Sequence, residues 1–294
     1  MKKYSPSRFY TRSFLLPALT FYLVFFIFPS LLSLILGFTD WSTYRITEIH
    51  FNGLDNFKMM LDEPIFATSI VNTFYFTFVS VLLTNVLGIL IALVLNMKLR
   101  LQSLYRSVFF IPTTLSILVI APIFSALYHP QFGPINQALR AIGLGFLAQE
   151  WLVDARYAMN SIVVMAVWSS IGVTILLYLA GLQTVPKDYY EAADIDGCGF
   201  WQKLRHISLP LIMPSITVNI VLSFVGGLKV FGHVYALTNG GPNDATQVFG
   251  TLIFKNFGAG LLGYSSAVGL VFTMIVCLFT FILIATMRRL EIEL

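Results

Sequence analysis

Charge is what this 294-residue chain lacks most. Asp, Glu, Lys and Arg make up only 11% of it, against about a quarter of a soluble globular domain. With 57% hydrophobic residues and a mean hydropathy of +0.81, that shortage excludes a soluble fold and points to a chain that lives in a bilayer. Carboxylates are missing from the apolar runs altogether. All of them fall between runs or at the tail: Asp40, Glu48, Asp55, Asp62 and Glu63, then Glu150 and Asp154, Asp188, Glu191, Asp194 and Asp196, Asp244, Glu291 and Glu293. Ion coupling is thereby disfavoured, because proton- and sodium-coupled carriers commonly hold their ion on an intramembrane carboxylate, although carbonyls and hydroxyls serve some sodium sites. Cysteine is nearly absent too. Cys198 precedes the fifth apolar run and Cys277 lies inside the sixth, at different bilayer levels, so no disulfide is expected, and Cys277 reads as a small packing residue. No G-x-x-x-x-G-K-[ST] loop occurs, since the glycine pairs at 226–227 and 240–241 lack both the spacing and the Lys-Ser/Thr. ATP hydrolysis by this chain is not expected. His50, His129, His206 and His233 are scattered over different segments and offer neither a metal pair nor a catalytic triad, which leaves little support for a membrane enzyme.

What is present is a set of long apolar runs. Windows of roughly 20 residues give six, near 14–38, 70–95, 107–128, 158–182, 211–237 and 264–287, and predict an all-α polytopic protein with six transmembrane helices. The first is too long for a signal-peptide core and no small-x-small site follows it, so it reads as an uncleaved span. Basic residues set the orientation. Lys2, Lys3, Arg8, Arg12, Lys98, Arg100, Arg106, Lys187, Lys203, Arg205, Arg288 and Arg289 fall on one side; Arg45, Lys58, Arg140, Arg156 and Lys255 fall on the other. The richer side is the cytoplasm, which places both termini inside. The net charge of +4 is a consequence of topology, and no nucleic-acid partner is implied.

Between the runs, the external segment 39–68 is long enough for short surface helices and too small for a ligand-binding domain. A further surface helix is expected between His129 and Tyr157, and "LTNGGPNDAT" stops the fifth helix on the outside. Pro29, Pro112, Pro122 and Pro214 sit within runs, either as hinges or as defects absorbed by neighbouring helices.

The most polar internal stretch, residues 186–210, reads as a helix-turn-helix. Pro186 opens it, Asp188 and Glu191 suit the positive end of a helix dipole, and Tyr189, Ala192, Ala193 and Asp196 lie close to one face, the alanines leaving it shallow. Gly197 allows a left-handed C-terminal turn. A second short helix follows from about Phe200 to His206, and Leu209-Pro210 turns the chain into the fifth run.

This stretch, "EAADIDGCGFWQKLRHISLP", resembles the EAA motif of permease subunits of bacterial ABC importers, with Glu191, Ala192, Ala193, Asp196, Gly197, Ile207, Leu209 and Pro210 at the motif positions. Cys198 stands where alanine is usual and Leu204 where phenylalanine is usual. "GLDNFKMMLDEPIF", "NTFYFT", "RSVFFIPTTLS", "HPQFGPIN" and "LTNGGPNDAT" are similar to the carbohydrate branch of that family, the maltose or glycerol-3-phosphate type. The resemblance implies a type I importer permease fold, a single permease domain over 1–294, and residence in the bacterial cytoplasmic membrane. It makes the hairpin a coupling helix that docks on a separate ATPase. The implied partners are a second related permease in a heterodimer, two ATPase subunits and an extracellular or periplasmic solute-binding protein. ATP and Mg belong to the ATPase, with no cofactor on this chain. A stand-alone carrier or channel with a regulatory hairpin is the alternative. The resemblance also implies a mid-membrane solute pathway near Thr113, Ser116, Ser169, Ser170, Thr174, Gly226, Gly227, Lys229 and Phe231. Lys229 is the one basic residue inside a run, and reads either as a contact to an anionic solute or as a lysine facing a wet cavity; His233, one turn on, reads as structural.

Overall fold

The computed structural model describes residues 15–97 and 100–289. Phe14, Lys2, Lys3, Arg8, Arg12, Lys98, Glu291 and Glu293, all used in the sequence reading, lie outside the described residues. In chain order the helices are α1 Leu16–Leu36, α2 Asp55–Asp62, α3 Pro64–Asn96, α4 Gln102–Thr114, α5 Ile117–Leu127, α6 Pro134–Ala141, α7 Ala155–Thr184, α8 Lys187–Ile195, α9 Phe200–Leu211, α10 Met213–Leu228, α11 Gly232–Leu237, α12 Phe249–Gly258 and α13 Leu262–Arg288. Four of them, α1, α3, α7 and α13, are each long and apolar enough to cross a membrane. The pairs α4/α5 and α9/α10 are bent by 100° and 70°, giving up to six spans when each pair counts as one.

Two expectations need correction here. The third run is not one helix, and its break is not at a proline: Pro112 lies inside α4 and Pro122 inside α5. At the stop, Thr113 and Thr114 donate back to the Phe110 and Ile111 carbonyls at 2.7 and 2.8 Å, offering those carbonyls an alternative to the helix ladder. Leu115 then turns extended, and Ser116 restarts the chain as the N-cap of α5 by accepting from the Leu118 N–H at 3.3 Å. The fifth run is interrupted as well. α10 ends at Leu228, and Lys229 is its C-cap, exposed, before the short α11.

The chain forms two compact units. In the first, up to Glu63 and including Ile253–Thr273, α2 is pinned by buried Asn56, whose Nδ2 donates to the Gly37 and Thr39 carbonyls at 2.9 and 2.8 Å. Tyr264 donates to Glu63 Oε2 at 2.7 Å.

The second unit, Pro64–Leu252 with the residues from Met274 on, is built on α3 and α7. α3 inverts the pattern of a soluble helix. Ser69, Thr73, Thr77, Ser80, Thr84, Gly88 and Ala92 recur every three or four residues and form its buried face, while Val71, Phe78, Leu82 and Leu90 are exposed. Lipid is as apolar as leucine, so helices in a bilayer meet through small residues that let backbones approach. The hydroxyls of Ser69, Thr73, Thr77 and Ser80 are satisfied within the helix, as in Thr73 Oγ1 to Ser69 O and Thr77 Oγ1 to Thr73 O. Glycines do the same on facing helices. A Cβ on Gly227 of α10 would stand 3.0 Å from Thr77 Cγ2, and one on Gly172 of α7 would run into the Phe109 carbonyl and Thr113 of α4. A polar tie crosses this core: Tyr178 donates to Asn85 Oδ1 at 2.6 Å, and Asn85 Nδ2 reaches Ser223 Oγ at 3.4 Å. Such interhelical bonds contribute about 0.6 kcal/mol on average in a membrane.

Outside the spans, the expected surface helix appears as α6. It is held by Asn136, which donates to the Pro130 and Gln149 carbonyls and accepts from Trp151 Nε1 at 2.8 Å. The helix stop at "LTNGGPNDAT" is built from left-handed Asn239, Gly240, Asn243 and Asp244. α12 was not anticipated. Cys277 is exposed on α13 and does not pack inside this chain, contrary to the sequence reading.

Candidate functional site: a hairpin and a cavity joined by two helices

The hairpin begins directly at the end of α7, where Val185 and Pro186 are extended and Pro186 is the N-cap of α8. Its turn is a Schellman motif: Cys198 N–H donates to Ala193 O at 2.9 Å and Gly197 N–H to Asp194 O at 3.2 Å, with Gly197 at φ +72°. Glycine is needed at that left-handed position. The second arm starts at Gly199, whose N–H is capped by Gln202 Oε1 at 2.7 Å, and passes through a π-helical turn over Leu204–Ser208. Two bonds join the arms: Tyr190 OH with Ser208 Oγ at 2.9 Å, and Lys203 Nζ with Asp194 Oδ1. Tyr190, Ile207 and Leu211 pack against a core of Ile175, Tyr178, Leu179, Leu182 and Ile212, which ties the hairpin to the spans.

Of the motif residues, Glu191, Ala192, Asp196 and Gly197 are exposed, while Ile207, Leu209 and Pro210 are half-buried. The shallow two-alanine face predicted from the sequence is not formed: Ala193 is turned into the chain and only Ala192 is left outside. In its place the surface carries large apolar groups, Ile195 at 88% and Trp201 at 73% exposure, beside Phe200 and Tyr189. The chain changes direction at Ile212, two residues beyond Pro210.

A cavity of about 490 Å³ opens between α3, α4, α5, α7 and α10 and the start of α11. Thr113, Ser169, Ser170, Thr174, Gly226 and Gly227 line it as the sequence led one to expect. They do so differently: a Cβ on Gly226 would meet open space, whereas Gly227 is a packing contact to α3. Three expected residues are not in the lining. Ser116 is occupied as the cap of α5, Lys229 is the exposed C-cap of α10, and Phe231 stacks on Tyr235 with ring centroids 5.2 Å apart. Ser80, Thr84, Asn219, Ser223 and His233 line the cavity without having been singled out as pathway residues. Their spacing was a usable signal, since 80 and 84, and 219 and 223, each lie one helical turn apart. His233 reaches Ser169 Oγ through Nε2 at 3.3 Å. Among the described residues, those lining the cavity include no Asp, Glu, Lys or Arg.

Residues 84–291 match the model of the family described as binding-protein-dependent transport system inner membrane component. The chain belongs to this family. It is 36% identical over 265 residues, 89% of its own length and 90% of the other's, to the probable ABC transporter permease protein YurN of Bacillus subtilis (strain 168). It is 35% identical to the trehalose/maltose transport system permease protein MalF of Thermococcus litoralis (strain ATCC 51850 / DSM 5473 / JCM 8560 / NS-C), covering 91% of this chain and 90% of that one. Its fold matches a chain from a bacterial ABC transporter involved in the import of the acidic polysaccharide alginate, with a TM-score of 0.82, 24% identity and 94% of each chain covered. The protein is therefore a permease subunit of a binding-protein-dependent ABC importer, a multi-pass component of the cytoplasmic membrane. The membrane component family also fits the inverted face of α3: small and polar residues turned inward and leucines turned to lipid suit a bundle that opens a path through its own interior.

Proposed function

We propose that the cavity is this subunit's share of the solute pathway and that residues 186–210 are the lever through which a separate ATPase drives it. The observation that carries this reading is continuity. The hairpin's first arm follows α7, which supplies Ser169, Ser170 and Thr174 to the cavity; its second arm leads through the bend at Ile212 into α10, which supplies Asn219, Ser223 and Gly226. A push on the hairpin thus reaches both cavity walls. The bonds between the arms and the apolar anchor on α7 make it move as one piece. Exposed Ile195 and Trp201 call for an apolar cleft on the ATPase, and Glu191 and Asp196 for basic groups or backbone amides at its rim.

In this reading both termini are cytoplasmic, residues 1–294 act as one permease domain, and the chain binds no cofactor of its own, ATP and Mg being held by two ATPase subunits. The other half of the pathway comes from a second, related permease in a heterodimer, and solute is delivered by an extracellular or periplasmic binding protein. Substitution Gly197→Pro tests the lever, because proline can neither adopt φ +72° nor supply the N–H that closes the turn. Membrane insertion is expected to persist while ATPase co-purification and solute uptake are lost. Normal co-purification together with normal uptake would contradict the proposal.

A further inference from the structure

We infer that Arg106 binds the phosphate of an anionic phospholipid at the corner where α4 meets the ends of α3 and α7. From the reading proposed above, the inference takes only that this end of the bundle is cytoplasmic. Residues 102, 106, 109 and 113 are three or four apart and share one face of α4, and that face is the packed one. Gln102 Nε2 donates to the Leu95 carbonyl near the end of α3. Phe109 packs against the core that includes Ile175, Tyr178 and Leu179 of α7, and Thr113 stands against Gly172 and lines the cavity. Leu104, Val108 and Ile111, on the opposite face, are exposed, as a lipid-facing surface is. The core that takes Phe109 also holds Leu95 and is packed by Tyr190, Ile207 and Leu211, which puts this end of α4 level with the hairpin.

A cation in such a place calls for a counter-charge, and the chain does not supply one. Among the described residues the ion pairs are Lys58 with Asp55, Arg156 with Asp154 and Lys203 with Asp194, and Arg106 belongs to none of them. Arg100, exposed at the same corner, belongs to none either. Arg106 is half-buried: its Nε is sealed inside the chain without an acceptor, and its two Nη groups form the side that remains open. Packing therefore fixes the plane of the guanidinium and presents its flat Nη edge, a shape that matches two oxygens of one phosphate. The solute cavity is not the recipient, because Arg106 lies outside its lining. An unpaired charge at the edge of the hydrocarbon is costly, and the groups of opposite sign at that depth are lipid phosphates. Basic pockets between spanning helices on the cytoplasmic side take anionic headgroups in this way. Exposed Tyr105 beside it is an aromatic of the kind that sits at headgroup level. A zwitterionic lipid brings its own cation to the same phosphate, so the preferred ligand carries net negative charge, as phosphatidylglycerol does.

The test uses the complete transporter in nanodiscs, which leave both leaflets open, so that an inverted topology would not hide the site. Discs of phosphatidylcholine with a rising fraction of phosphatidylglycerol are the probe, read by melting temperature and by the lipids retained in native mass spectrometry. The wild-type chain is expected to gain stability saturably with phosphatidylglycerol. In Arg106→Gln the half-saturating fraction should rise about 5-fold and the retained phosphatidylglycerol should fall. Arg106→Lys should lie between the two, since a point charge keeps the attraction and loses the flat fork. An identical phosphatidylglycerol dependence in wild type and Arg106→Gln would overturn the inference. So would an equal shift in Arg140→Gln, a basic residue of α6, because that would mark a general charge effect. Inorganic phosphate added to pure phosphatidylcholine discs separates lipid from soluble anion: full stabilisation by phosphate alone would overturn the lipid source. Loss of the ATPase from Arg106→Gln in those discs would assign the counter-charge to a protein and overturn it as well.

Discussion

α3 and α7 run unbroken for 33 and 30 residues, whereas the spans beside them are each broken in two, α4/α5 by 100° and α9/α10 by 70°. The unbroken helices carry a small-residue face and meet their neighbours at close range; the broken ones turn their ends toward the cavity and the hairpin. Prolines occur within the broken pairs and not within the interior of the unbroken helices, yet neither break falls on a proline. The chain stops where Thr113 and Thr114 take over backbone carbonyls, and at Ile212, just beyond the packed foot of the hairpin. The position of a proline thus does not by itself say where a helix in this protein ends.

The largest effect should come from disturbing the unbroken frame. Substitution Gly172→Leu forces side chain into the Phe109 carbonyl and is expected to destabilise the subunit by about 3 kcal/mol or more, read as loss of monodisperse protein after detergent extraction. Gly226→Ala, on a cavity-facing position of a broken pair, should keep or raise the melting temperature, because its Cβ meets open space. If both glycines tolerated substitution equally, the distinction between packing and lining glycines would fail.

The break itself is the next target. Ser116→Ala removes the N-cap of α5 and should cost about 1 kcal/mol, with spin-label distances between residues 104 and 126 broadening. Pro112→Ala should leave those distances in place, because Pro112 is not at the bend; straightening of α4/α5 in that variant would restore proline as the cause. A smaller effect is expected from Tyr178→Phe, which leaves Asn85 Oδ1 without its 2.6 Å donor. Thermal unfolding in detergent should register a loss of about 0.6 to 1.7 kcal/mol.

The smallest effect concerns the N-terminal end of α7. Asp154 caps this helix and is paired with Arg156, whose side-chain hydrogen bonds hold the Asp154 carboxyl below the usual carboxylate range. A depressed pKa stabilises the fold above the ordinary carboxylate value and stops doing so as pH falls through the depressed one. Asp154→Asn should therefore lower the melting temperature slightly at neutral pH, and the difference should close as the pH is taken down past the ordinary carboxylate range and through the depressed one. A difference that grew on acidification would reverse the sign assigned to this pair.

Much of the architecture was legible because a bilayer imposes length and polarity directly. Six apolar runs, the hairpin, Gly197 at its elbow and the surface helix α6 all followed from composition and turn chemistry. The break between α4 and α5 did not, since hydropathy does not register hydroxyl protons choosing carbonyls within their own helix; the turn at the foot of the hairpin was expected at Leu209-Pro210 and falls two residues later, at Ile212. Lys229 was misplaced for a related reason: inside an apolar run it looked embedded, but α10 ends one residue before it. Ala193 and Ala192 are indistinguishable in sequence, and only the packing of α8 on the spans turns one of them inward. Thr113, Ser169, Ser170, Thr174, Gly226 and Gly227 do line the cavity, while Ser80, Thr84, Asn219 and Ser223 line it without having been singled out, because isolated polar residues in an apolar helix show no common face until the packing is visible.

The central claim is that a cytoplasmic lever ties this cavity to an ATPase that the chain itself does not contain. Its most direct test is solute accumulation in proteoliposomes energised with ATP, comparing this subunit alone with the complex of both permeases, the ATPase and the binding protein. The account predicts uphill uptake only in the complete complex, and its loss when Gly197→Pro is introduced there. Concentrative uptake by this subunit alone would contradict it.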